Sequence, residues 1–308
     1  MPRTNKRSQA QKRRFQQQTE SHDPTPESAE HSSNLFENMA AVLLVSDEVR
    51  DVSSDVVMSR RDEGNVMITE LPSEIRLCAS RSQSSARFGK LKNKQCTCNS
   101  LTFLAFLHEN EMISKADLDL VLDKGNVLYQ QAIKIHPTDG TGYLATDELP
   151  NLVSSRSSTL TADLSILPVF GTFGNPPAGC MDTYLSLSSR LNCLTDDVQY
   201  ALLIMVSLCI AVFRTPSGRY GFFDPHSRKD DGSYKEPGTA VMVTFKHLQD
   251  MVNRLLRCYR EHGASSTTQY EFKPVTFVSI RPADRVQSVE MWCVSHLRSR
   301  KQLKLCPD

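Results

Sequence analysis

The cysteines and histidines of this chain are the side chains that could perform covalent chemistry. A thiol protease needs a thiolate at a helix N-terminus, where unpaired amide groups and the helix dipole lower the thiol pKa. Cys96 and Cys98 stand directly before Asn99-Ser100, a pair typical of an N-cap, which predicts a helix beginning just after Cys98. Both thiols are candidates by position. Either one requires a histidine base and a third group that orients the base.

Among the eight histidines, His226 has the sequence context that such a base requires. Asp224-Pro225-His226 directly follows the predicted strand Tyr220–Phe223. Side chains at i and i+2 of an extended segment share a face, and Pro225 keeps Asp224 away from helical dihedrals. The carboxylate can then bond one imidazole nitrogen while the other nitrogen faces the thiol. The alternative is an ordinary turn at the end of a strand.

A glutamine amide is the candidate oxyanion donor. Gln83 lies thirteen residues before Cys96 in a polar stretch, and its side chain could donate together with the backbone amide of the cysteine. The alternative is a solvated loop side chain. A Cys-x-Cys pair can also bind zinc, but a third and a fourth ligand with recognisable spacing are missing from the sequence.

The ordered set of these residues resembles the deubiquitinase domain of herpesvirus large tegument proteins. The segments that carry the resemblance are, in chain order, Ser82-Gln83, Arg87-Phe88-Gly89, Gln95 to Leu104, and Phe223-Asp224-Pro225-His226. The resemblance implies a papain-like α+β fold. It also implies cleavage of peptide or isopeptide bonds at the C-terminus of ubiquitin, or of its relative NEDD8, without a metal or other cofactor.

The resemblance further implies a role for each candidate residue. Cys96 is the nucleophile, because the family pattern has Gln directly before this position and Asn three residues after it; Cys98 departs from that pattern, which has a small polar residue there. His226 is the base and later the acid, Asp224 orients it, and Gln83 is the oxyanion donor. The implied partners are conjugates of ubiquitin or a ubiquitin-like protein. Two alternatives are an inactive ubiquitin-binding module and a structural, tegument-like interaction protein.

The composition limits the partners and the compartment. Lys and Arg number 36 against 35 Asp and Glu, so the whole chain has no electrostatic footprint for nucleic acid or an anionic membrane. Its longest uncharged apolar run, Tyr200–Phe213, is shorter than the roughly 20 residues that span a bilayer. Nine irregularly spaced cysteines, with no secretory signal, indicate free thiols in a reducing compartment. The expected location is intracellular, in the cytoplasm, the nucleus or both, or the virion tegument for a viral chain.

Hydrophobic periodicity predicts the elements that must position these residues. Ser114 to Asp117 resembles a capping box that starts a helix, and Leu248 to Tyr259 has the spacing of an amphipathic helix. The run from Tyr200 is interpreted as a buried helix that becomes a strand near Val206. Further predictions are a short helix at Thr146 and strands at Ala240–Phe245 and Pro274–Ile280. Helices precede strands, which predicts an α+β fold with an antiparallel or mixed sheet.

The same patterns predict four segments along the chain. Residues 1–34 are basic and polar, and are expected to form a disordered tail. Residues 35–74 form a partly structured leader, residues 75–280 the protease-like domain, and residues 281–308 a C-terminal extension.

Overall fold

The computed structural model describes residues 56–59, 67–137, 142–176, 179, 184–195 and 197–279. The chain divides into two units, residues 1–72 and residues 73–308. In the first unit, strand β1 (Val56–Ser59) pairs antiparallel with β2 (Met67–Glu70). The predicted tail and C-terminal extension lie outside the described residues, and the predicted domain boundaries stay predictions.

The α-helices described in the second unit are α1 (Cys96–Glu109), α2 (Lys115–Ile135), α3 (Leu187–Leu191) and α4 (Leu248–Glu261). Short 3-10 helices cover Ala86–Leu91 and Thr146–Glu148, the second of which was predicted. The predicted capping box is confirmed, because Ser114 and Asp117 bond each other's backbone amides. None of the described helices is long and apolar enough to cross a membrane.

Two antiparallel sheets complete the second unit. The strands of the larger sheet are β3 (Glu74–Cys78), β6 (Val169–Thr172), β7 (Tyr200–Met205), β8 (Leu208–Arg214), β9 (Tyr220–Arg228), β10 (Thr239–Phe245) and β11 (Gln269–Pro274). Their order across the sheet is β3-β10-β9-β8-β7-β11-β6. The smaller sheet has the order β12-β5-β4 and is formed by β4 (Leu152–Ser154), β5 (Thr159–Asp163) and β12 (Thr276–Ser279). The prediction of an α+β fold is confirmed.

The larger sheet is covered on both faces. Helix α1 packs against β8 and β9, and α4 packs against β9 and β10. Successive residues of β7 alternate between two hydrophobic clusters: Leu202 and Ile204 join the cluster of α1 and α2, while Leu203 and Met205 join the cluster of α4. A strand buried on both faces has a continuous apolar run with no period of two.

The buried helix predicted from Tyr200 is therefore wrong, since this segment is strand β7. An uncharged apolar run does not distinguish a buried strand from a buried helix. Val206 and Ser207, with φ of 46° and 65°, form the tight turn into β8. Positive φ at both central residues is typical of the turns that join antiparallel strands. The strands predicted near Val206, at Tyr220–Phe223 and at Ala240–Phe245 are confirmed as β8, β9 and β10, and the predicted amphipathic helix is α4.

Candidate active site

Cys96 is the first residue of α1, one turn earlier than the Asn99-Ser100 pair predicted. Gln95 occupies the N-cap position without a side-chain capping bond, so amide groups of the first turn are not capped by that side chain. Such amides and the helix dipole favour a negative charge at this end. The helix is central to the fold, and Cys96 is itself 1% exposed.

Helix α1 is fixed against the strand that contains the histidine. The ring of Phe103 stacks on Phe223 at a centroid distance of 4.4 Å and lies 5.4 Å from the ring of Phe213. Phe223 directly precedes Asp224 on β9. This aromatic contact therefore fixes the position of α1 relative to the Asp224–His226 segment.

Asp224 and His226 lie within β9, which continues to Arg228 and does not end at Phe223. His226 Nδ1 donates to Asp224 Oδ1 at 2.6 Å, and the backbone amide of His226 donates to the same oxygen at 2.9 Å. The second oxygen, Oδ2, accepts from Arg228 Nε at 2.6 Å. The i and i+2 side chains share a face as predicted, and the alternative of a turn at this point is wrong.

The contacts of His226 join it to the helix as well as to the carboxylate. Burial alone would lower the pKa of His226, but the charge of Asp224 and hydrogen bonds to Asp224 and to the Cys96 side chain raise this pKa to about 9. Burial acts to raise the pKa of Asp224, and the charges of Arg228 and His226 outweigh it and hold this pKa well below its usual range. Because Nδ1 bonds Asp224, Nε2 is the nitrogen left to face the thiol. The arrangement favours the protonated imidazolium form of His226.

The raised pKa of His226 links the stability of the fold to pH. An unfolded histidine has a pKa of about 6.5, so the Asp224 ion pair contributes fully below that pH and its contribution is lost as the pH rises through about 9. We expect the free energy of unfolding to fall by up to about 3 kcal/mol between about pH 6 and about pH 10. Urea titrations of wild type and His226→Gln measure the free energy of unfolding across this pH range. It should change much less with pH in the variant than in wild type. An equal fall in both proteins would contradict the assignment.

Gln83 is completely buried beside these residues, which overturns the alternative of a solvated loop side chain. Its backbone amide donates to Pro225 O at 2.9 Å, and Asn99 Nδ2 lies 3.5 Å from its Oε1. The Nε2 atom of Gln83 is buried without a hydrogen-bond partner among the described residues. A Cβ at Gly125 would collide with Asn99, so the glycine leaves room for that side chain. An unused donor is therefore held between the Asp224–His226 segment and α1.

Three hydroxyl groups tie the Gln83 loop to β9. Ser227 lies 3.0 Å from Ser82 and 2.7 Å from Ser84, oxygen to oxygen, and Ser82 and Ser84 are 2.7 Å apart. Ser82 and Ser84 flank Gln83 in the sequence, and Ser227 directly follows His226 on β9. The cluster fixes the distance between the loop and the histidine. All four predicted site residues are thus positioned by α1, by β9 and by the Gln83 loop, which precedes α1 in the chain.

Cys98 is buried in the same hydrophobic cluster as Cys96. It is fully buried, and burial together with the nearby Cys96 sulfur raises the pKa of its thiol strongly. A buried neutral thiol packs as a small hydrophobic side chain. Within the described ranges, no group of three or more His, Cys, Asp or Glu side chains is arranged to hold a metal ion.

Two further neighbours of the site were missed by the sequence analysis. Arg228 stands two residues beyond His226 on the same strand face, so the i, i+2, i+4 spacing of Asp224, His226 and Arg228 was the available signal. Asn99 follows Cys96 by one helical turn, and it was interpreted as a helix cap because its side chain type favours that position.

Comparisons with known proteins agree with this architecture. A solved structure of the ubiquitin-specific protease encoded by a murine cytomegalovirus tegument protein, in complex with a ubiquitin-based suicide substrate, matches with a TM-score of 0.56 and 21% identity. The match covers 67% of this chain and 88% of the other. It confirms the predicted papain-like α+β fold. No curated protein matches the chain.

A family model places the chain among known sequences. The model of the herpesvirus tegument protein N-terminal conserved region matches residues 78–273, which include every described element from α1 to α4 in chain order and all four candidate site residues. The chain therefore belongs to the family of herpesvirus tegument protein N-terminal regions, as its resemblance to herpesvirus large tegument proteins predicted.

Proposed function

We propose that this protein is a cysteine-type deubiquitinase that cleaves peptide or isopeptide bonds after the C-terminus of ubiquitin. The observation that carries the proposal is the hydrogen-bonded series in which the Cys96 thiol meets His226 and His226 Nδ1 donates to Asp224 at 2.6 Å. Family membership and the fold shared with a ubiquitin-specific protease support the choice of ubiquitin as substrate. Family membership also supports the tegument as a location.

The first half of the reaction forms a thioester. The Cys96 thiolate attacks the carbonyl carbon of the terminal glycine, and the negative charge passes to the carbonyl oxygen. Gln83 Nε2 and the backbone amide of Cys96 donate hydrogen bonds to that oxygen. His226 then gives its proton to the departing lysine amine as the carbon–nitrogen bond breaks.

The second half of the reaction restores the enzyme. His226, now neutral, takes a proton from water while the water oxygen attacks the thioester carbonyl. The carbon–sulfur bond breaks, ubiquitin leaves with a free carboxyl group that gives its proton to bulk water, and the thiolate and imidazolium form again. Asp224 stays ionised throughout and holds the ring in the orientation that both steps need. These steps use only side chains and a backbone amide of the described residues, together with water.

Turnover of a ubiquitin C-terminal fluorogenic substrate by the full chain tests the proposal. We expect release of the fluorophore, with a NEDD8 substrate as the second arm that measures selectivity between the two modifiers. Binding of ubiquitin without turnover would favour an inactive binding module instead. The absence of both ubiquitin binding and turnover would favour a structural role in the tegument.

Gln83→Ala provides a test of the oxyanion contact. We expect kcat to fall about 100-fold to 1000-fold with little change in KM, because the donor acts on charge that develops only in the transition state. Gln95→Ala is the matched control, since Gln95 is also buried but its Nε2 donates to Asn126 Oδ1 at 3.0 Å. Equal losses in the two variants would contradict the role of Gln83.

A further inference from the structure

Arg228 is a buried arginine on the same strand face as Asp224 and His226. Its side chain is 3% exposed, and that of Asp224 is 7% exposed. A charged side chain at such depth requires a partner that compensates its charge. The backbone of Arg228 is fixed by its pairing with Thr239 of β10, and a Cβ at Gly238 would collide with it. The side chain of Arg228 therefore extends from a fixed point of the sheet.

The guanidinium bonds two groups at once. Nε donates to Asp224 Oδ2 at 2.6 Å, and Nη1 contacts Nε2 of His262, the residue that follows α4. The ring of Tyr234 lies edge-on to His262 with centroids 5.3 Å apart. Arginine is suited to this task because its planar fork presents several donors in fixed directions. The contact links the carboxylate to the end of α4.

We propose that Arg228 is a positioning residue for the reaction, which holds the Asp224 carboxylate so that one oxygen faces His226 and keeps that carboxylate ionised. The kinetic part of this inference rests on the proposed function; the positional part does not. A carboxylate bonded through Oδ2 cannot rotate about its Cβ–Cγ bond without losing Arg228. Oδ1 is thereby kept for the Nδ1 and backbone amide of His226.

The positive charges that act on Asp224 are Arg228, with the larger effect, and His226. The titratable and charged groups that act on the Asp224–Arg228 pair or its neighbours are, on β8, Cys209; on β9, His226; on α4, Arg257, Cys258, Tyr259 and Glu261; after α4, His262; and, through His226, Cys96 of α1. Burial raises the pKa of Cys258 to about 11 and that of Tyr259 well above its usual value. Both are therefore neutral at physiological pH.

His262 is also neutral and accepts from the arginine. Burial, followed by the charge of Arg228, lowers the pKa of His262 to about 4. A protonated His262 would present a second positive donor to the guanidinium. The neutral ring can accept at Nε2, so it completes the bonding of Arg228 without adding a charge to the site.

Arg228→Gln tests the inference through the pH dependence of kcat/KM toward a ubiquitin fluorogenic substrate. Without Arg228 the pKa of Asp224 should rise, and a carboxylate that is no longer held against Nδ1 should raise the pKa of His226 less. We expect the alkaline limb of the profile to move to lower pH, whereas loss of the positive charge alone would move it to higher pH. We expect the maximum to fall roughly 10-fold to 100-fold, because the carboxylate is no longer held in place.

Arg228→Lys and Arg219→Gln are the matched variants. Lysine keeps the charge but is a point donor, so the alkaline limb should return toward its wild-type position while kcat stays below wild type. Arg219 is another buried arginine, bonded to Thr244 Oγ1 at 3.3 Å and separate from the site, so its loss should leave the profile in place. A wild-type kcat in Arg228→Lys, or an alkaline limb that stays in place or moves to higher pH in Arg228→Gln, would overturn the inference.

Titration of the His226 ring by NMR distinguishes failure of this inference from failure of the proposed function. The measurement needs no turnover, and His226→Gln identifies the resonance. We expect the pKa of His226 to be lower in Arg228→Gln than in wild type, because the carboxylate that raises it is no longer held in place. If wild type hydrolyses no substrate but this fall is present, the proposed function fails and the positioning role stands; if the pKa is unchanged or rises, the positioning role fails.

Discussion

Replacing Cys96 with alanine should reduce turnover of a ubiquitin C-terminal fluorogenic substrate by at least about 10,000-fold. The alanine side chain cannot form the thioester, so only the uncatalysed attack of water remains. The variant should still fold, because Cys96 contributes one small buried side chain at the beginning of α1. Ubiquitin binding should persist, since the substitution removes no side chain larger than a thiol.

Cys98→Ala is the control for this prediction. The two cysteines are two residues apart on α1 and both are buried, but burial keeps the thiol of Cys98 protonated. We expect Cys98→Ala to retain turnover within a few-fold of wild type and to lose roughly 1 kcal/mol of stability. Turnover that survives in Cys96→Ala and disappears in Cys98→Ala would reverse the assignment of the nucleophile.

Asp224→Asn should lower kcat roughly 1000-fold to 10,000-fold, the second largest effect that we expect. The amide cannot stabilise an imidazolium, and it favours the wrong tautomer of His226. Because the charge of Asp224 raises the pKa of His226, the alkaline limb of the activity profile should move to lower pH. The same change leaves Arg228 buried without its carboxylate, so the variant should also lose about 3 to 5 kcal/mol of stability.

Asp117→Asn separates the catalytic loss from the loss of stability. Asp117 is a largely buried aspartate that pairs with Arg156 at 2.7 Å and caps α2, so its replacement also costs stability. Its side chain bonds Ser114 and Arg156, and neither is a residue of the candidate site. We expect the folded fraction of Asp117→Asn to have wild-type kcat, and a comparable loss of kcat in both variants would contradict the role of Asp224.

Local patterns predicted the elements whose signal is contained in a few adjacent residues. The capping box at Ser114 and the apolar face of α4 are such signals, and both helices are present. The pairing of β3 with β10, in contrast, joins residues more than 160 positions apart, such as Cys78 and Val241. Neither strand carries information about its partner. Strand β11 was missed for a similar reason, since its neighbours β6 and β7 are distant in sequence.

The sequence predicts those parts of the site that the chemistry of the residues and their close spacing determine. Asp224 and His226 are close in sequence, so extended geometry alone places them on one face. Choosing Cys96 over Cys98 required the family resemblance, because both precede the same helix signal. The depth of each thiol, the unused amide of Gln83 and the contacts of Arg228 depend on packing between distant segments. Those features could be identified only in the folded structure.

Labelling with a ubiquitin probe that has an electrophilic C-terminus is the most direct test of the central claim. The full chain should form a covalent adduct with one ubiquitin, and peptide mapping should locate the new bond on the sulfur of Cys96. His226→Gln should label much more slowly, because the thiolate loses its imidazolium partner. Absence of an adduct, or an adduct on any other cysteine, would contradict the account.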